Sequence, residues 1–272
     1  MNKERPIGPF GLLSGSHTIG CPPCGSKPAC HSEDSFGTSL VMAKRGLFIV
    51  FEGTEKGGKK TQSQMLCDAL TQITGKETLH IHFPDKSTPV GQLISQYQSG
   101  DLKLSHRVAH LLYTANRWER QRDISTALAN GINVVADRYS YSGIVNTAAK
   151  ITPLSNADWA WCRSTESGLL PPNLIFCLAG ENLSEIAARE GFGQKPSETT
   201  SFQSRVLAYY ARLCQEMEAE LNEEGNAGGD TTNGTGSAPD VHTPKLWNWI
   251  QATGQTVDDI HTCIMTIIDP LL

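Results

Sequence analysis

The residues Gly53-Thr54-Glu55-Lys56-Gly57-Gly58-Lys59 fit the spacing G-x-x-x-x-G-K. In that spacing bare backbone amides curl around phosphate oxygens, and the lysine meets the β and γ charges at a helix N-terminus. The stretch expected to grip ATP runs from Gly53 through Lys59 to Lys60 and Thr61. The residue after the loop lysine is ordinarily Ser or Thr, whose hydroxyl binds Mg²⁺, and here it is Lys60. Thr61 has suitable chemistry, but one residue of helix rotates it by about 100° from the metal-facing position. Moving the frame by one fails too, since Thr54 and Lys59 would then occupy the glycine positions. A Lys60 ammonium near the phosphates would supply part of the charge of magnesium; turned to solvent, it would leave water to complete the metal shell.

Two more pairs have chemical potential. Tyr113 and Arg117 are four residues apart on a helical pattern, which sets an aromatic platform beside a guanidinium. Asp137 and Arg138 follow an apolar run, which puts them at the carboxyl edge of a sheet, where ligands of α/β folds bind.

These residues need rigid elements behind them. Leu47 to Phe51 is a short apolar run suited to a strand buried on both faces. Thr61 to Leu70 carries apolar residues at helical spacing, so strand, glycine loop and helix follow in order. Further strands are expected at Leu79 to Phe83, Ile132 to Ala136, Leu174 to Leu178 and Lys245 to Ile250. Helices are expected at Ser105 to Leu128, Leu183 to Arg189, Phe202 to Glu223 and Thr256 to Ile268. Strands separated by helices imply an α/β fold, a five-stranded parallel sheet flanked by helices. Asn222 to Pro239 is rich in Gly, Asn and Thr and reads as a flexible surface insertion, about 222–239.

The chain has 272 residues, enough for one substantial core, and a formal charge of -5, which excludes a chain-wide basic field for binding nucleic acid or anionic lipid. Its apolar runs fall far short of the roughly 20 residues a membrane-spanning helix needs. Of the cysteines, Cys67, Cys177, Cys214 and Cys263 lie in segments that read as apolar faces or strands, which suits a reducing compartment. Cys21, Cys24, Cys30 and His31 have a spacing that zinc could use, but their Pro- and Gly-rich surroundings argue for a disordered N-terminal extension over residues 1–41. That extension has neither a continuous hydrophobic core nor the Arg-rich, acid-free character of a presequence.

Three stretches follow the phosphate loop in order: Phe83-Pro84-Asp85-Lys86-Ser87-Thr88, His110-Leu111-Leu112-Tyr113-Thr114-Ala115-Asn116-Arg117-Trp118-Glu119 and Asp137-Arg138-Tyr139-Ser140-Tyr141-Ser142-Gly143. Read together with the loop, they make the chain from about Met42 to its C-terminus resemble thymidylate kinase of the eukaryotic and poxviral type, a P-loop nucleoside monophosphate kinase. The resemblance implies the P-loop NTPase fold over 42–272, phosphoryl transfer from ATP to dTMP in dTTP biosynthesis, Mg²⁺, a homodimer, and a cytoplasmic and also nuclear location. It implies that Tyr113 stacks on thymine, Arg117 contacts the base and Arg138 holds the monophosphate. Glu55 matches a position, usually Asp, that contacts the sugar hydroxyl, and Lys56 matches a basic loop residue that neutralises the transferring phosphoryl group. Phe83, Lys86, Gly143 and Gln203 fall with the dTMP side of the pattern, Lys86 standing where Arg is usual.

The segment of about 190–205 resembles the family's lid, with Arg189 and Lys195 as its cations; Gln194-Lys195-Pro196-Ser197 lacks the Arg and Tyr common there. Asn146 takes a position that is often aromatic. The catalytic set expected is then Lys59, Lys56, Arg138 and Asp137, with Asp137 holding the metal through water. Two other readings compete: a degenerate nucleotide-binding homologue without useful turnover, suggested by Lys60, and a deoxynucleoside kinase, which would want Glu52 or Glu55 as a base.

Overall fold

A computed structural model describes residues 44–180, 182–227 and 245–272. Cys21, Cys24, Cys30 and His31, the rest of the 1–41 extension and most of the 222–239 insertion lie outside these residues.

Strands β1 (Phe48–Gly53), β2 (Leu79–His82), β3 (Val134–Asp137), β4 (Leu174–Ala179) and β5 (Trp247–Gln251) form one sheet in the order β2-β3-β1-β4-β5. Every pairing is parallel. Strand β1 is central and wholly buried, which its unbroken apolar run requires. Its side chains alternate between two cores, as a period of two dictates. Phe48 and Val50 join Ile124, Leu128, Val145 and Tyr210 on one side, while Ile49 and Phe51 join Leu66, Leu70 and Ile264 on the other.

The helices are α1 (Lys59–Thr74), α2 (Pro89–Ser99), α3 (His106–Ala129), α4 (Ser140–Lys150), α5 (Asn156–Ser164), α6 (Leu183–Ala187), α7 (Thr200–Ala227) and α8 (Val257–Ile268). Sequence reasoning passes over α2, α4 and α5. α2 starts at Pro89 behind a Thr88 cap, and α5 has a Ser155/Asp158 capping box, so both carried start signals in short, weakly periodic stretches. α4 is different: its N-cap, Tyr139, makes no side-chain capping bond.

Three expectations need correction. Helix α7 runs on to Ala227, so the start of the supposed insertion at 222–227 is helical, its glutamates being good helix formers. The far end of the segment expected as a lid is helical: Phe202 to Arg205 already belong to α7, which leaves 190–199 as its irregular part. Cys263, expected on an apolar face, is exposed, whereas Cys67, Cys177 and Cys214 are buried; α8 turns Ile260, Ile264 and Ile268 inward instead.

Register places the chemistry. Phe51 pairs with Asp137 and Gly53 with Leu178, so the glycine loop and the Asp137-Arg138 pair emerge side by side at the carboxyl edge of the sheet.

Candidate active site

Gly53 leaves β1 at φ 123°, and a Cβ there would lie 2.0 Å from the Leu178 carbonyl oxygen, so no other residue fits. Gly58 caps α1 in the left-handed region, without a side-chain bond to the helix and with no acidic residue in the first turn. The N-terminal amides and the positive end of the helix dipole are thereby left for an anion.

Lys59 is only 4% exposed, and its ammonium donates to the Gly53 carbonyl at 3.2 Å and also to that of Thr54. Burial, reinforced by the Arg138 charge and opposed by Glu55 and Asp137, pushes the ammonium down to about 8. At pH 9 the free protein holds Lys59 mostly neutral, and a bound triphosphate restores its charge, so ATP binding should take up about one proton. At pH 7 the uptake should vanish. Calorimetry in two buffers of different ionisation enthalpy checks this, and equal enthalpies at pH 9 after correction for the other groups would exclude it.

Across the loop, the Arg138 backbone N–H donates to the Phe51 carbonyl at 2.9 Å. Its guanidinium pairs with Glu55 at 2.9 Å and reaches Ser142 Oγ at 3.4 Å. Among the described residues, Lys56 (φ 57°) and Arg138 (φ 71°) are the non-glycine residues with positive φ, one in the glycine loop and the other in the turn after β3 beside it. Backbone strain of about 1–3 kcal/mol each persists where surrounding bonds over-determine it, commonly at functional sites. For Arg138 those bonds are visible. Glu52, fully buried, accepts from the backbone N–H groups of Tyr139 and Ser142 at 3.0 Å each, from the Tyr210 hydroxyl at 2.7 Å and from the Ser142 hydroxyl. A carboxylate from β1 thus caps α4 and fixes the turn that aims Arg138. With its oxygens so occupied, Glu52 is committed to holding the turn and is not placed to take a proton from a substrate, which leaves Glu55 as the candidate base for the deoxynucleoside kinase reading.

Asp137 is 3% exposed. His82 Nδ1 contacts its Oδ2 at 2.9 Å, while Oδ1 is buried with no hydrogen-bond partner. Burial raises its carboxyl pKa, but the His82 bond and the Arg138 and Lys59 charges outweigh it, so the group stays below the usual carboxylate range. Glu55 is likewise held low, chiefly by Arg138.

On the acceptor side, Tyr113 is half-buried, with its hydroxyl accepting from Gln98 at 2.9 Å. Burial raises its pKa, and the charges of Arg138 and Arg117 both act on it; Arg138 in turn acts on Lys59. The aromatic, both guanidiniums and the loop lysine therefore share one electrostatic neighbourhood. Other residues expected on this side have mainly structural partners. Phe83 is buried against Tyr139, ring centroids 5.6 Å apart. Gly143 makes room for Arg117: a Cβ there would lie 2.6 Å from the guanidinium. Gln203 accepts from the Glu55 amide at 2.9 Å and donates to the Ser197 carbonyl at 2.7 Å, a joint between phosphate loop and lid. Lys86 is exposed, in a turn held by a residue the sequence reading left without a role: buried Asn116 accepts from Asp85 N–H at 2.8 Å and donates to Asp85 O and Thr88 Oγ1.

At the lid, Arg189 donates to the Lys56 carbonyl at 2.7 Å and to the Ala252 carbonyl at 2.6 Å. A Cβ on Gly191 would lie 3.0 Å from Lys56 Nζ, so the lid crosses over that ammonium. Lys195 pairs loosely with Glu198 at 3.6 Å and its charge reaches Glu55.

Comparison with known proteins decides the family. The family model for thymidylate kinase matches residues 51–224. Thymidylate kinase of Dictyostelium discoideum is 42% identical over 171 residues, covering 62% of this chain and 74% of that one. That of Homo sapiens is 36% identical over 176 residues, covering 65% and 80%. The solved structure of thymidylate kinase from Candida albicans superposes with a TM-score of 0.65 at 30% identity, over 83% of this chain and 92% of that one. The chain belongs to the thymidylate kinase family.

Thymidylate kinase membership bears on the position of Lys60. Mg²⁺ takes oxygen ligands, keeps several waters and is commonly bound through one or two carboxylates plus substrate phosphates. The unpartnered Asp137 Oδ1 suits such an ion, whereas Lys60 and Thr61 are exposed on the first turn of α1. Lys60→Ser should lower the magnesium concentration for half-maximal rate by about tenfold, as restored metal contacts do, and raise kcat. A magnesium titration of both proteins checks it; superimposable curves would show a site rebuilt around lysine.

Proposed function

We propose that this chain transfers the γ-phosphoryl group of ATP to dTMP, giving ADP and dTDP for dTTP synthesis, with Mg²⁺ and as a homodimer in the cytoplasm and nucleus. The observation that carries the reading is the meeting of Lys59, Glu55 and Arg138 at the carboxyl edge of the sheet, within electrostatic reach of Tyr113. One side suits a triphosphate and the other a nucleoside monophosphate.

The acceptor oxygen of dTMP is already anionic, so it attacks the γ-phosphorus without a general base; the new P–O bond forms as the bond to the β-phosphate oxygen breaks. Catalysis is then positioning and charge neutralisation. The loop amides and Lys59 hold the β and γ oxygens, Arg138 holds the acceptor phosphate, and Lys56, brought under the lid beside Gly191, faces the transferring group. The Glu55–Arg138 pair holds the arginine until a phosphate competes for it and leaves Glu55 beside the sugar. Mg²⁺, with Asp137 holding its water shell, would supply further positive charge to the phosphates. Tyr113 supplies the stacking surface and Arg117 the edge contact to thymine.

A coupled assay for ADP with ATP and dTMP, thymidine or dUMP tests this. The expected result is dTMP-dependent ADP formation with thymidine inert. ATP binding without ADP formation would favour a nucleotide-binding homologue without turnover, the reading that Lys60 suggests. Turnover of thymidine would favour a nucleoside kinase.

A further inference from the structure

We infer that Glu166 is a positioning residue that locks Arg117 and thereby sets the preference for thymine over cytosine. The inference rests on Arg117 being the contact to the base edge. Glu166 follows α5, in a segment with no phosphate or nucleotide pattern of its own.

Arg117 and Glu166 form a forked pair: Nε donates to Oε2 at 2.9 Å, and Nη2 donates to Oε1. Their side chains are 3% and 4% exposed. Oε1 also accepts from the Thr114 hydroxyl at 2.8 Å. The segment carrying Glu166 is itself anchored, since His110 Nε2 contacts Thr165 Oγ1 at 2.7 Å while His110 Nδ1 contacts Thr147 Oγ1 at 2.8 Å. Gly143 completes the socket, for a Cβ there would approach Arg117 Nη2 to 2.6 Å and Glu166 Oε1 to 2.9 Å. α3, α4 and the chain after α5 all converge on one guanidinium.

The chemical consequence follows from the fork. A two-pronged carboxylate pair fixes the plane and rotation of the guanidinium as well as its charge. Nη1 makes no bond to Glu166, and an arginine offers only donors. Held still, that donor suits the O4 acceptor of thymine and opposes the exocyclic amine donor of cytosine. Free to swing, the same guanidinium could turn aside and admit either base, so discrimination requires that the arginine be immobile.

Two variants test this, with calorimetric affinities for dTMP and dCMP as the main readout, so that turnover is not required. Glu166→Gln keeps the length and removes the charge; because it strands a buried arginine, it is paired with Glu166→Asp, which keeps the charge but is one methylene shorter. Glu166→Asp should weaken dTMP binding by about tenfold, within the range a small misplacement produces, reduce the ratio of dTMP to dCMP affinity by a similar factor, and leave ATP affinity unchanged. Arg117→Lys should reduce the same ratio, and Glu166→Asp added to it should change little more, since the two act as one unit. A lowered Tm in Glu166→Asp with the affinity ratio intact would overturn the inference and leave Glu166 structural. A ratio intact in Arg117→Lys as well would instead strike the reading of Arg117 as the base contact, and the inference with it.

Discussion

Lys59→Met is expected to lower kcat by about 10³-fold, the upper end for losing one preorganised charge contact to a transition state, and to weaken ATP binding. Methionine keeps the length and loses the ammonium. That ammonium lies between the Gly53 and Thr54 carbonyls, so on ATP binding it should exchange carbonyl partners for phosphate oxygens without leaving the loop. Burial holds its pKa near 8, so the methionine variant relieves a desolvated charge and should melt no lower than the parent. A Tm unchanged or raised, beside a collapsed kcat, separates a catalytic role from a structural one. The expected loss of proton uptake at pH 9 gives a second readout. A variant with full ATP affinity and full kcat would show that the glycine loop is only a turn.

The sequence made legible what its local spacing encodes. The β1-loop-α1 unit could be read because an apolar run, glycines at fixed offsets and helical periodicity lie within one continuous stretch. The apolar runs give all five strands to within about two residues: β1, β3 and β4 are buried on both faces and read as simple apolar runs, while the edge strands β2 and β5, only partly buried, show through the shorter runs around Ile81 and Ile250. The parts that were missed depend on partners far apart in the chain. Glu52 caps α4 from 87 and 90 positions away, so no capping signal could mark the start of that helix. Arg117 finds Glu166 49 positions on, and Asn116 holds the Asp85 turn across 31. The resemblance puts Gln203 on the nucleotide side; that its amide also joins Glu55 to Ser197, 148 and 6 positions away, shows only in the fold. Motif matching names the residues near a ligand; the residues that hold them in place appear only once the chain is folded.

Arg138 shows why that second group matters. Arg138→Met should reduce kcat/KM for dTMP by about 10²-fold or more, and Arg138→Lys by about tenfold, since lysine keeps the charge but cannot make a forked contact with phosphate. The loss should fall on dTMP rather than on ATP, because the guanidinium is paired with Glu55 on the acceptor side of the loop. The Arg138 charge is also the main reason the Glu55 carboxyl lies below its ordinary pKa. Taking the charge away should therefore move the acid limb of the pH–rate profile of Arg138→Met toward neutrality, while Arg138→Lys should leave that limb near its original position. The fold itself should survive both changes, because the turn is set by Glu52 acting on the Tyr139 and Ser142 amides and by the Arg138 backbone bond to Phe51, none of which uses the guanidinium. Equal losses for ATP and dTMP, or an acid limb that does not move in Arg138→Met, would mean that Arg138 supports the loop as a whole and does not hold the acceptor phosphate.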